Sequence, residues 1–361
     1  MSELNGIPVS GAQEAPPEVL EAFLRFAREH PSLFQGKSLD PSRLRLAPRH
    51  VTFRCIACQE PVLSGLETCP SCGTSTRQSL KGGDLLQGRY RIGERLVATG
   101  GFGALYVCED LQEPGVPLVV KQLQHGRGGR DKDRELFLRE GELLRMMDHH
   151  ALPRFHDAFE RQGALYLVME RIPGVTLGQW LRAKGAMNEA QVQALLPQML
   201  EVLSYMHHRP VPIVHRDVKP GNFMLSPDGH LTLVDLGGAT SPTPSEREPE
   251  ANGLPRDLTS VLTRGFTAPE ILLGGTAVPA SDLFSMGVTC LFLLSGKHPF
   301  TRYEPVSGTY RLDDLNLSEA LKPILRKLVA WPLGDRYGDA EDVLADLLTA
   351  GIIRPMQAPG A

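Results

Sequence analysis

The sequence predicts an α+β protein, with a small strand-rich part followed by a larger helical part and a short cysteine-bearing segment in front. Three observations carry this. Arg89–Ile92 begins an alternating strand-like run, and Leu118–Lys121 and Ala164–Glu170 are short, largely apolar and strand-like. Beyond residue 172 the period becomes helical, most clearly over Glu189–His207. Cys55, Cys58, Cys69 and Cys72 pair off at two-residue spacing.

The chain has 361 residues, 42% of them hydrophobic, enough for two cores and an appendage. A net charge of −4 gives no general argument for nucleic acid or an anionic membrane as partner. Met1–Ser10 lacks a basic and apolar leader pattern, and the longest apolar stretch, Leu283–Leu294, is broken by Ser285, Gly287 and Thr289. A soluble cytoplasmic protein with no membrane span is therefore expected.

Met1–Pro16 shows no period and reads as a tail. From Pro17 to His30, Val19, Leu20, Phe23, Leu24, Phe26 and Ala27 recur at helical spacing, and Pro31 stops the helix. Next, two Cys-x-x-Cys knuckles stand ten residues apart. Four thiolates make a closed tetrahedral set suited to a structural Zn²⁺, the competing reading being disulfides or free thiols. Cys108 and Cys290 sit singly in apolar contexts and read as small core residues. Arg49, Arg54, Arg77 and Lys81 are too sparse for a nucleic-acid patch.

Ala98-Thr99-Gly100-Gly101-Phe102-Gly103 follows the first strand-like run; its glycines let backbone amides approach phosphate oxygens, with Phe102 at the tip. Lys121 ends an apolar strand. The helical pattern Leu136, Leu138, Leu143, Leu144, Met147 follows, carrying Glu135, Glu140 and Glu142. His149-His150 reads as loop. Leu177–Leu181 suggests a short helix, and Glu189–His207 a long one that buries Val192, Leu195, Leu196, Met199, Leu200, Leu203 and Met206 and contains Pro197. Then comes Ile213–Leu225, which places a carboxylate, an ammonium and an amide at Asp217, Lys219 and Asn222. Such a loop can accept a hydroxyl proton, offset phosphate charge and hold a metal ion. Asp228-Gly229 is a turn into Leu231–Gly237, a strand ending in Asp235.

These motifs resemble those of the protein kinase family. His215-Arg216-Asp217-Val218-Lys219-Pro220-Gly221-Asn222 is similar to the catalytic loop, Leu118–Lys121 to the V-A-I-K strand, and Asp235-Leu236-Gly237, eighteen residues after Asp217, to D-F-G with Leu for Phe. Ala98 stands at the first glycine position of the Gly-rich loop. The resemblance implies a bilobal kinase fold that binds ATP and Mg²⁺ (or Mn²⁺). Ala98, Gly100, Gly101, Phe102 and Gly103 would cover the phosphates; Lys121, held by Glu140 with Glu142 as the alternative, would reach them. Glu170 and Ile172 would pair with adenine, and Asn222 and Asp235 would bind magnesium. Asp282 would cap the backbone at His215 and Arg216, and Arg336 would pair with Glu270. Thr263 would bond near Asp217 and Lys219, with Arg264 where the family has Pro. Ser241, Thr243, Ser245, Thr259 and Ser260 would be phosphosites facing Arg216. The cysteine segment resembles the short zinc ribbon that precedes the kinase domain in a group of bacterial, notably cyanobacterial, kinases.

The expected organisation is an N-terminal tail and helix (1–50), a zinc ribbon (51–76), a linker (77–86), a kinase domain (87–351, lobes 87–171 and 172–351) and a tail (352–361). The implied function is transfer of the γ-phosphoryl group of ATP to a serine or threonine of a protein substrate, itself included. The alternatives are a nucleotide-binding scaffold without turnover and a zinc-ribbon adaptor.

Overall fold

The structure, a computed structural model, describes residues 25, 52–54, 61–63, 80–96, 103–123, 130–161, 164–240, 265–304 and 307–354. The expected helix over Pro17–His30, but for Arg25 in a helical state, and all four clustered cysteines lie outside these residues. These residues fall into two compact units, one holding 52–54, 61–63, 80–173 and Val234–Gly237, the other Gly174–Leu233 and 238–354.

In the first unit, β1 (Thr52–Arg54) and β2 (Pro61–Leu63) form an antiparallel pair. The main sheet contains β3 (Leu85–Leu86), β4 (Tyr90–Leu96), β5 (Gly103–Asp110), β6 (Leu118–Leu123), β7 (Phe155–Arg161) and β8 (Ala164–Glu170), in the spatial order β3-β4-β5-β6-β8-β7. Every neighbouring pair is antiparallel. The sheet curls, so that Arg161 Nη1 on the last strand in space donates to the Leu85 carbonyl on the first at 2.6 Å, and the Tyr90 hydroxyl donates to Asp157 at 2.9 Å. Within the curl, Tyr90, Ile92, Tyr106, Cys108, Val120 and Val168 pack as one buried cluster. Burial pushes the Cys108 thiol up to about 12, which fits a core residue.

α1 (Arg130–Met146) packs against this sheet. Its buried face contains Phe137, Glu140, Leu143 and Leu144, whereas Leu138 is 46% exposed. Leu138 therefore does not belong to the packing stripe: the helical turn selects 137, 140 and 144, and Leu138 lies about 100° round from Phe137. Nor is the stretch to residue 86 wholly a linker, because Leu85 and Leu86 pair with Arg91 and Tyr90 and Leu86 is buried.

The second unit is mostly helical. A small sheet, in the order β11-β10-β9, joins β9 (Val175–Thr176), β10 (Phe223–Leu225) and β11 (Leu231–Leu233). The strand expected to run to Gly237 stops at Leu233; Asp235 adopts φ +69°, which no strand accommodates. Capping boxes start α2 (Leu177–Lys184), from Thr176 and Gln179, and α3 (Glu189–His207), from Asn188 and Gln191. α3 stays helical through Pro197 and buries all seven residues expected of it. α4 (Pro269–Leu272) is short. α5 (Pro279–Ser295) is buried almost all round and ends on Gly296 in the left-handed conformation. β12 (Tyr303–Glu304) and β13 (Thr309–Tyr310) form a hairpin, followed by α6 (Leu321–Leu328) and α7 (Ala340–Thr349). No helix of the described residues is long and apolar enough to cross a membrane.

Candidate active site

In the first unit the site is an ion cluster. β6 is buried along its length except at Lys121, which is partly exposed, and the register sets Lys121 between Leu105 and Leu167. α1 delivers Glu140 to the same face, three residues after Phe137 and four before Leu144. Lys121 Nζ donates to both Glu140 oxygens at 2.7 Å and to Asp235 Oδ1 at 3.0 Å. Of the three glutamates on this helix, Glu135 and Glu142 are exposed and Glu140 is 2% exposed, so burial separates them. Burial pushes the Glu140 carboxyl above its ordinary range; Asp235 adds to this and Lys121 opposes it. For Lys121, burial alone would lower the pKa, but the charges of Asp235 and Glu140 outweigh it and hold the ammonium protonated. A Cβ on Gly237 would lie 3.3 Å from Asp235 Oδ1 and 3.5 Å from Glu140 Oε2, so glycine lets the chain pass this cluster closely.

In the second unit the loop after α3 carries its own cluster. Lys219 Nζ donates to Asp217 Oδ2 at 2.6 Å; Asn222 Nδ2 donates to the Asp217 carbonyl at 2.8 Å and to Oδ2 at 3.0 Å. The amide nitrogen of Asn222 is thereby committed, which leaves its oxygen as the atom that could ligate a metal. Behind the loop, Asp282 of α5 is fully buried. Its carboxylate accepts from His215 N at 2.7 Å, from Arg216 N at 2.8 Å and stands 2.9 Å from His207 Nε2. Three hydrogen-bonding groups answer one buried charge, as burial of a charge requires. Arg216 takes φ +66°, strained for a non-glycine residue. Farther along, Arg336 forks onto Glu270 at 3.0 and 2.9 Å, and the Ser281 hydroxyl donates to the same carboxylate at 2.5 Å.

Other expected residues are placed less fully. Gly103 opens β5, while Ala98, Gly100, Gly101, Phe102, Thr263, Arg264 and the five candidate phosphosites lie outside the described residues. Glu170 ends β8, its N–H donating to the Arg154 carbonyl, and Arg171 N donates to Pro117 O at 2.9 Å beside Ile172. Sequence reasoning missed His207 and the positive φ at Arg216. His207 was findable, since it continues the buried stripe of Leu200 and Leu203 at helical spacing. Nothing local marks Arg216.

A protein kinase domain model matches residues 92–344. Serine/threonine-protein kinase B of Synechocystis sp. is 34% identical over 293 residues, covering 78% of this chain and 48% of that protein. Serine/threonine-protein kinase F of the same organism is 32% identical, covering 76% and 57%, and PknA of Nostoc sp. is 31% identical, covering 76% and 50%. This chain spans about half the length of these relatives. With the domain matched over most of the chain and these two clusters within it, the chain belongs to the protein kinase family.

Proposed function

We propose that the chain is an ATP-dependent protein serine/threonine kinase, with self-phosphorylation among its reactions. The observation that carries this reading is Lys121 held between buried Glu140 and partly exposed Asp235, a cation fixed by two acids and suited to phosphate oxygens. Asp217 accepts the proton of the substrate hydroxyl, and Lys219, already on its carboxylate, offsets charge developing on the transferred group. Asn222 and Asp235 offer the hard oxygen donors that Mg²⁺ or Mn²⁺ prefers, and a bound Mg²⁺ supplies charge neutralisation for the phosphates. Glu170 and Ile172 pair with adenine through their backbones, and Ala98 through Gly103 fold over the phosphates. Leu236, 1% exposed, fills the hydrophobic place that Phe takes in the family.

In front of the kinase domain, Cys55, Cys58, Cys69 and Cys72 form a structural zinc ribbon within residues 51–76. Support comes from β1 and β2, whose register of Arg54 on Pro61 makes Cys55 and Cys58 part of the connection between two paired strands. The kinase domain spans 87–351, a helix lies within 1–50, and the protein is cytoplasmic.

Asp217→Asn is expected to lower phosphate transfer at least about a thousandfold while leaving ATP affinity intact, as read with labelled ATP, Mg²⁺ and mass-spectrometric site mapping. Transfer at the wild-type rate would remove Asp217 from its role. Metal analysis is expected to find one zinc per chain, lost when Cys55 and Cys58 become Ser. A metal-free wild type ends the zinc assignment.

A further inference from the structure

Within the helical unit, the end of α3 and the start of α7 bring an imidazole and two carboxylates together. His208 is the C-cap of α3, Asp339 caps α7, and Glu341 lies in the first turn of α7. Their ligand atoms all lie within 4.8 Å of one another. His208 and Glu341 are exposed and Asp339 is half-buried, so an ion reaches them from solvent.

Hydrogen bonds fix which atoms face each other. His208 Nδ1 stands 3.0 Å from the Ser204 carbonyl, which can only accept, so Nδ1 carries a proton. The N–H of Glu341 donates to Asp339 Oδ1 at 2.8 Å, which leaves Oδ2 for the imidazole. Nε2 and Oδ2 then meet at 3.1 Å. Two lone pairs that close repel unless positive charge lies between them, as a second proton on the ring or as a metal ion. Glu341 favours the metal, because a proton needs one acceptor whereas an ion uses all three groups. Ligands bonded at about 2 Å to one tetrahedral ion stand about 3.3 Å apart, close to the spacing found. An Nδ1–H held by a backbone carbonyl is also how metal-binding imidazoles are oriented. A similar group in the strand-rich unit, Asp110, Glu113 and His156, differs: Arg89 occupies both Asp110 oxygens and its guanidinium repels a cation.

We propose that His208, Asp339 and Glu341 form a site for a divalent transition-metal ion of the zinc type, with water completing the coordination. One imidazole nitrogen with two carboxylates suits Zn²⁺ better than Mg²⁺, which prefers oxygen alone. The C-terminal end of α3 favours a cation, and Asp342 adds negative charge in the first turn of α7. The ion ties α3 to α7, and α3 is followed by the loop that carries Asp217. The site requires neither ATP binding nor phosphate transfer.

The full chain is compared as wild type, His208→Ala and Glu341→Gln, in about 10 μM free Zn²⁺ and after dialysis into zinc-free buffer. Glu341→Gln keeps the contact of His208 with Asp339, so it separates metal binding from that pair. In zinc the wild type is expected to hold about one ion per chain more than His208→Ala, a difference that cancels metal bound elsewhere, and to release it on dialysis. Glu341→Gln is expected to need about tenfold more zinc for the same occupancy. Zinc is expected to raise the Tm of the wild type by about 3 °C over that of His208→Ala, with no such rise in Mg²⁺. Equal zinc content in the wild type and His208→Ala overturns the site and leaves an ion pair only. A Glu341→Gln form that titrates like the wild type overturns the three-ligand arrangement, and an equal Tm rise in Mg²⁺ overturns the transition-metal assignment.

Discussion

Glu140 in the strand-rich unit and Asp282 in the helical one are both buried acids, at 2% and 0% exposure, and they use their charge differently. Glu140 holds a side chain: the Lys121 ammonium, which it shares with Asp235. Asp282 holds main chain: the N–H of His215 on Oδ2 and that of Arg216 on Oδ1, with the His207 ring also on Oδ2. An ammonium at the end of four methylenes can turn to another partner, whereas a backbone amide in a packed loop cannot. The first arrangement suits a group that can exchange partners, as the proposed phosphate contact requires. The second suits a fixed frame.

Isosteric replacements test that contrast. Asp282→Asn sets an amide against donors and removes the charge, and is expected to cost about 3 kcal/mol or more of stability, measured by urea denaturation, with activity lost through the loop. Glu140→Gln leaves Lys121 its contact with Asp235, so about 1 kcal/mol of stability is expected to go, while phosphate transfer falls by about tenfold to a hundredfold. Equal stability losses for the two would break the distinction. The smallest effect, confined to stability with transfer unchanged, is expected at a third buried acid that touches neither cluster. Asp110 is held down to about 2, first by the side-chain hydrogen bonds from Arg89, which reach it at 2.6 to 2.9 Å. Its folded value is depressed, so its contribution is present above the unfolded value of 3.8 and fades as pH falls toward about 2. Asp110→Asn should therefore cost about 1 kcal/mol at pH 7, a figure lowered for the partly exposed Arg89, and the gap to wild type should close between pH 4 and 2. A gap that widens on acidification contradicts the pairing.

Local pattern made most of the fold legible. Runs such as Leu118–Lys121 and Ala164–Glu170 carry their own β signal, and the stripe from Val192 to Met206 carries its own helical one. The apolar face of α1 was less readable because Phe137 and Leu138 are adjacent and both apolar; only the sheet, through Ala158 and Leu167 against Gly141, decides which faces inward. The hairpin β12-β13 gave no sign in the sequence, since two-residue strands have no period. It is anchored by tertiary contacts of Tyr303 with Trp331 and of Tyr310 with Phe284.

Within the candidate site, spacing along the chain brought Asp217, Lys219 and Asn222 into view, because one loop carries all three. Family resemblance, not spacing, linked Lys121 to Glu140 and Asp282 to His215, residues that only the fold brings within 3 Å. The positive φ at Arg216 was invisible, and the partner that holds its N–H, Asp282, lies 66 residues away in sequence.

The curl of the main sheet bears on solubility. β3 is only two residues long, and the Leu85 carbonyl already accepts from Arg161. An extended segment of another molecule arriving at that edge finds almost no ladder to continue, so the shortness of β3 guards that edge against edge-to-edge pairing without a gatekeeping proline or a row of lysines.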